Sequence, residues 1–515
     1  MNGAESLVRT LVVNGVEVCF TNPGTSEMHF VAALDKVEGM RCVLGMFEGV
    51  VTGAADGYYR MSEKPACTLL HLGPGLGNGL ANLHNAKKAR SGIVNIVGEH
   101  ATYHLKHDAP LTADIEGVAR PMSHWVRTAS TSGSLAKDCA AAICEARKPP
   151  GHIATLIAPA DTAWGHAPGL AEAEPPPART QVSSSAVAAA ARALRSGAPA
   201  MLLLGGTALR GKSLEHAGRI AAKTGCRLLS EYNNARAEGG AGRVRVDRLP
   251  YPIDQALDTL KDTGELILAG AKSPVSFFAY PGKPSILVPD TCSVTRFAAV
   301  DDDLESALEA LAHEIGAANA APAHINKHER PPRPSGAVTP DGIAAVLAAL
   351  LPENAIVIDE SVTNGRNLGP VMAGAAPHDW LNICGGSIGW ALPVATGAAI
   401  AAPDRKVVAL EGDGSGMYTL QALWTMARES LDVTVVILAN RAYQILRGEL
   451  RAMGAGTPGQ RATDMLTLDR PALDWVSLAR GHGVDASRAN DLETFAQALE
   501  RGFAQPGPYL IELVI

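Results

Sequence analysis

Lys406-Val-Val-Ala-Leu-Glu-Gly-Asp-Gly-Ser415 is the stretch on which the fold turns. Its apolar start does not alternate with polar residues, so it reads as a strand covered on both faces, as in a parallel sheet. An amphipathic stretch, Leu420 to Arg428, follows, and then a second apolar strand, Val433 to Ala439, which ends at Asn440. Neighbouring parallel strands ending in Asp413 and Asn440 present two hard oxygen ligands side by side, with glycine amides free to approach a phosphate. That is the pattern of a magnesium-diphosphate site. A Gly-Asp-Gly after a strand is by itself more often a turn, and the second strand ending in Asn is what raises the reading above that.

Outward from this stretch the same alternation repeats. Buried-strand candidates are 16–21, 66–71, 92–97 and 152–158, then 200–204, 227–230, 265–269 and 284–288, then 355–359, 406–411, 433–439 and 509–514. Amphipathic segments separate them. Two proline-rich polar stretches, Glu172 to Ser185 and Ala321 to Gly336, resist helix and sheet and read as connectors. The expected architecture is α/β, with three consecutive doubly wound parallel-sheet domains at 1–170, 184–320 and 337–515. Ligands in such sheets bind at the carboxyl ends of strands, so the loops there carry the function.

The chain has 515 residues, enough for three or four domains with cores of their own. Hydrophobic residues make up 47% and charged residues 19%, which excludes disorder as the main state. The net charge of -7 repels a phosphate backbone, so no nucleic-acid partner is expected. Its eight cysteines include no C-x-x-C pair and read as buried thiols in a reducing compartment. Glu5 and Arg9 interrupt the first apolar stretch, and no membrane-spanning run follows, so a soluble, cytoplasmic protein is expected.

Four more stretches accompany Gly412-Asp413-Gly414 and Asn440. They are Phe20-Thr-Asn-Pro-Gly-Thr-Ser-Glu27, Met46-Phe-Glu-Gly-Val-Val-Thr-Gly-Ala-Ala-Asp-Gly57, His71-Leu-Gly-Pro-Gly-Leu-Gly-Asn78 and Gly385-Gly-Ser-Ile-Gly-Trp-Ala-Leu-Pro393. In this order, and over nearly the whole chain, they resemble the thiamine-diphosphate enzymes, most of all benzoylformate decarboxylase and the acetolactate-synthase-like group. The resemblance implies pyrimidine-binding, central and diphosphate-binding domains in that order. It implies that Asp413, Asn440 and the carbonyl of Ala442 hold Mg2+, and that Gly386, Ile388, Gly412, Gly414, Ser415 and Tyr443 contact thiamine diphosphate. Ile388 takes the place of the bulky residue under the thiazolium ring.

Glu48 takes the place of the glutamate that hydrogen-bonds the aminopyrimidine. No basic residue lies within six positions of it, and an apolar pocket there favours its protonated form. Gly49, Gly53 and Gly57 line one face of the same helix, each at a cost of about 1 kcal/mol of helix propensity that close helix approach offsets. By resemblance that face meets its copy in a second subunit and sets Glu48 of one chain over the diphosphate site of the other. A homodimer at minimum, and a homotetramer as the family pattern, is therefore expected. His71 ends a strand and corresponds to an active-site histidine, and Thr25 corresponds to a substrate-contacting serine.

These parallels imply non-oxidative decarboxylation of a small 2-oxo acid through a carbanion/enamine intermediate, with carboligation of the acetolactate-synthase kind as the alternative. A non-catalytic regulatory homologue is the third reading, and FAD in the central domain is an open possibility without support from the residues. Departures bear on the substrate. Phe47 stands where many members have His, Ala439 replaces the first of an Asn-Asn pair, Leu111 stands where acetolactate synthases have Gln, and Ser276-Phe-Phe-Ala-Tyr280 offers no second active-site histidine.

Two rival motifs remain. Gly206-Thr-Ala-Leu-Arg-Gly-Lys-Ser213 matches a P-loop, with Ile356-Val-Ile-Asp-Glu360 as its acidic partner, although a chain of 52 glycines makes accidental matches common. His100, His104 and His107 would form one metal-binding face on a helix, but Gly98 and Pro110 bracket them as a loop.

Overall fold

Uninterrupted apolar runs fold as the inner strands of three sheets in the computed structural model, which describes Met1–Ile515. The first sheet has the order Arg41–Leu44, Val18–Asn22, Ala66–Leu70, Ile93–Glu99, Ile153–Pro159, Trp125–Thr128, all parallel. The second runs Asp247–Arg248, Arg227–Ser230, Ala200–Leu204, Glu265–Ala269, Ser293–Ala298, again parallel. The third runs Asp485–Ala489, Tyr509–Val514, Val433–Ala439, Val407–Gly412, Ala355–Glu360, His378–Asn382, and closes with Ala237–Gly239, its one antiparallel member. Three parallel-sheet α/β units therefore follow one another, as the sequence indicates.

One expected strand is absent. Residues 284–288 form no strand, and Ser293–Ala298 takes the edge beside Glu265–Ala269 instead. Pro281, Pro284 and Pro289 flank the apolar run and deny it ladder donors, whereas the later segment has none. No helix is long and apolar enough to cross a membrane.

The glycine-faced helix, Glu48–Ser62, determines how the first and third units meet. A methyl group on Gly57 would lie 2.1 Å from the Val394 carbonyl oxygen, and one on Gly397 would lie 1.8 Å from that of Ala54. Backbone thus touches backbone between Glu48–Ser62 and Ala391–Ala401 of the same chain. This corrects the sequence reading, which assigned the face to a second copy; the glycine stripe carries no argument for a dimer. Arg60 and Asp56, both buried, pair bidentately at 2.8 Å beside this contact. Trp390 Nε1 donates to Asp56 at 2.9 Å and Arg60 donates to the Asn382 carbonyl at 2.7 Å, so the buried charges are fully satisfied. Around them one apolar core runs from Phe20 and Val50 to Trp390 and Ile437.

Candidate active site

Val407–Gly412 and Val433–Ala439 pair in parallel, and their two following loops are tied together. Asp413 is buried and accepts from the Gly414 amide at 2.9 Å and the Arg441 amide at 2.6 Å. Burial raises its pKa, with those amides pulling the other way. Asn440 Oδ1 accepts from the Ala442 amide at 3.0 Å. On either side of Ala442 the backbone pairs with the segment Leu466 to Leu468, while the Ala442 carbonyl itself accepts no hydrogen bond. One buried carboxylate, one amide oxygen and one uncommitted carbonyl are a fitting donor set for Mg2+. The Tyr443 ring closes this end, since a methyl group on Gly414 would lie 2.6 Å from it.

Behind the Gly412–Ser415 loop lies a carboxylate pair, Glu360 and Glu411, that sequence reasoning did not connect. Glu411 Oε1 accepts from Ser415 Oγ at 2.5 Å and from the Gly412 amide at 2.9 Å, while its Oε2 is buried with no donor. Glu360 accepts from the amides of Gly389, Trp390 and Ala391 at 2.8, 2.7 and 2.7 Å. It therefore fixes the loop that carries Gly386 and Ile388. Burial pushes Glu360 up to about 7, against the pull of the three amides, and burial and then the charge of Glu360 raise Glu411 well above the usual carboxylate range. This overturns the P-loop reading, because Glu360 is spent on the Gly389–Ala391 amides in the third unit. Lys212 of that motif extends into solvent, 3.8 Å from Glu305.

Gly386 and Gly389 have φ of +75° and +84°, the left-handed region that glycine adopts without strain. Gly386 is exposed and Ile388 half-buried. Helix Leu72–Ala89 presents three asparagines at helical spacing toward this loop. Asn85 exchanges two bonds with Ser387, at 2.7 and 3.1 Å, and Asn82 bridges the carbonyls of Gly49 and Gly389 at 2.9 and 3.3 Å. Asn78 donates to Glu48 Oε2 at 3.0 Å. Glu48 is buried at the first turn of its helix, and only its Oε2 is engaged by a side chain. The spacing of asparagines by four and then three residues in Gly77-Asn-Gly-Leu-Ala-Asn-Leu-His-Asn85 was the available sign, and only its first member stood within a quoted motif.

His71 caps the same helix at the end of Ala66–Leu70. Its Nδ1 lies 2.8 Å from Glu27 Oε2, which also accepts from the Gly24 amide at 2.7 Å. Glu27 is buried and its Oε1 has no donor, sitting where a methyl group on Gly98 would fall. Burial raises its pKa, against the pull of His71. Glu27 ended a quoted motif without being given a role. Thr25, two residues earlier, is exposed at the start of a short 3-10 turn.

The three histidines share no helix face: His100 lies outside any element, His104 in a turn and His107 in a 3-10 segment, and no group of three His, Cys, Asp or Glu side chains is placed for a metal. The strand ends of the middle sheet open on a cleft of about 400 Å³ whose cations include Lys88, Arg90, Arg179, Arg210, Arg236 and Lys272.

Comparison with known proteins fits this geometry. Residues 1–118 match the family model described as thiamine pyrophosphate enzyme, N-terminal TPP binding domain, and residues 368–513 match its C-terminal TPP binding domain. The chain is 52% identical over 516 residues to a candidate acetolactate synthase large subunit, IlvX, of Mycobacterium tuberculosis, covering 100% of this chain and 99% of the other. It is 30% identical to benzoylformate decarboxylase of Pseudomonas aeruginosa, covering 97% and 96%. Among solved structures, a Rhodococcus jostii RHA1 4-hydroxybenzoylformate decarboxylase superposes with a TM-score of 0.85 at 24% identity, over 99% of this chain and 98% of that one.

Proposed function

The chain belongs to the thiamine pyrophosphate enzymes, and on that premise we propose that it decarboxylates a 2-oxo acid without oxidation and releases an aldehyde. The observation that carries this reading is the pair Glu27 and His71, an imidazole at a strand end with Nδ1 held by a buried carboxylate. Such a pair fixes the ring and leaves Nε2 to give or take a proton. Asp413, Asn440 and the Ala442 carbonyl would hold Mg2+ and through it the diphosphate. When bound, thiamine diphosphate supplies a nucleophilic carbon and an electron sink for the bond broken as CO2 leaves.

The chain's own residues do the rest. Glu48 Oε1 would hydrogen-bond the aminopyrimidine, with Oε2 held by Asn78. Glu360 and Asn85 fix the loop on which Ile388 shapes the cofactor. Thr25 donates its hydroxyl to the substrate carboxylate, and His71 Nε2 delivers the proton that ends the cycle. Membership of the family, and not the glycine stripe, supports a site completed by two chains, with Glu48, Thr25 and His71 from one and Asp413 from the other.

Carboligation is the second reading, favoured by the full-length identity to the acetolactate-synthase-like relative. Incubating the holoenzyme with single 2-oxo acids, and then with an aldehyde or second 2-oxo acid added, separates the two by product mass. Free aldehyde equal to CO2 supports the decarboxylase; acyloin or acetohydroxy acid as the main product in both arms supports the ligase.

A further inference from the structure

Glu449 lies within the helix Gln444–Ala452, which starts directly after Tyr443 and so continues the diphosphate loop. Both its oxygens face tyrosines of the middle unit: Tyr251 Oη donates to Oε1 at 2.8 Å and Tyr280 Oη to Oε2 at 3.0 Å. Burial, and next the Glu449 carboxylate, raises both phenols, so they remain neutral donors. Each oxygen of a carboxylate held by one hydroxyl apiece keeps a lone pair for another donor.

The surroundings are aromatic. Tyr251 lies 5.3 Å from Phe277 and 5.3 Å from Tyr232, and Phe277 lies 4.9 Å from Phe278. Phe277 also reaches the cofactor loop, its ring 3.0 Å from where a methyl group on Gly386 would sit. Two rings, Phe277 and Tyr251, and the Tyr251 hydroxyl therefore lie between Gly386 and the Glu449 carboxylate. Aromatic faces beside a charged carboxylate favour a cation over a neutral group. The cluster already stacks one guanidinium at its outer rim, Arg248 over Tyr232 at 5.1 Å, and none on the side of Phe277 and Glu449.

We propose that Glu449, presented by Tyr251 and Tyr280 within this aromatic cluster, is a specificity-determining residue that binds a cationic group at the far end of the substrate. The inference rests on the decarboxylase reading and names its substrate class, 2-oxo acids with a guanidinium or ammonium at the end of a short alkyl chain.

The test is CO2 release by the magnesium- and thiamine-diphosphate-loaded enzyme from three acids of equal length, ending in a guanidinium, an ammonium and a methyl group. The cationic acids should exceed the neutral one in kcat/KM, and Glu449→Gln should lower that ratio about 10- to 100-fold, the scale of one charge-assisted hydrogen bond. The guanidinium and ammonium arms identify which cation fits better. A neutral acid preferred by the wild type, or a ratio unchanged in Glu449→Gln at full cofactor occupancy, overturns cation recognition while leaving decarboxylation standing. No CO2 from any 2-oxo acid overturns both. Glu449→Asp keeps the charge, and its retention of more of the ratio than Glu449→Gln distinguishes recognition from simple docking of the helix.

Discussion

Glu27 has one oxygen bound to His71 and the Gly24 amide and the other buried without a donor. Removing its charge while keeping its shape should therefore act on proton transfer more than on folding. Glu27→Gln is expected to lower kcat by about 10² to 10³ with little change in cofactor affinity, as read by steady-state kinetics and calorimetric titration of thiamine diphosphate. Equal losses in kcat and cofactor affinity would assign Glu27 to structure alone. The buried pair Glu360 and Glu411 makes a second prediction. The folded-state value of about 7 for Glu360 lies above its ordinary 4.5, so between these the folded chain binds more protons than the unfolded one. Stability from this group is full below the ordinary value and is lost as pH rises through about 7, with a slope of at most about 1.4 kcal/mol per pH unit. Thermal melting should fall from pH 5 to about 8, and Glu411→Gln, which removes a second group raised in the folded chain, should flatten that fall.

At the scale of elements, most inner strands were legible because residues such as Val433 to Ala439 are apolar without a break, whereas the inner strand His378–Asn382, interrupted by His378 and Asp379, was missed. Edge strands were not, since Arg41–Leu44, Trp125–Thr128 and Asp485–Ala489 carry the charges that protect sheet edges. Asp413 and Asn440 could be placed because strand ends dictate where a ligand binds. Glu360 could not, because its role depends on amides some thirty residues away that only the folded chain brings near. The glycine face was legible as a close contact and misread as to partner, for a helix stripe does not say what packs on it. Its packing is testable. Gly57→Ala puts a methyl group 2.1 Å from the Val394 carbonyl and should destabilise by about 1–3 kcal/mol. Gly448→Ala, with nothing within 4 Å, should instead gain up to about 1 kcal/mol. Urea unfolding of both variants reads the two signs.

For the whole molecule, the proposed site is shared between two chains. Asp413→Ala subunits should lose thiamine diphosphate and Glu48→Gln subunits should keep it, and neither should turn over alone. Mixed under conditions where subunits exchange, they should regain part of the activity, because one site in each hybrid dimer has both residues. No recovery despite demonstrated exchange would mean that Glu48 and Asp413 of a single site come from one chain.

The most direct measurement is the rate of CO2 release from a 2-oxo acid per molecule of bound thiamine diphosphate, in the wild type and in Glu48→Gln. The site described here predicts measurable release with matching aldehyde in the wild type, and a fall of about 10² to 10³ in Glu48→Gln at equal cofactor occupancy. Release per bound cofactor that is the same in both proteins would contradict it.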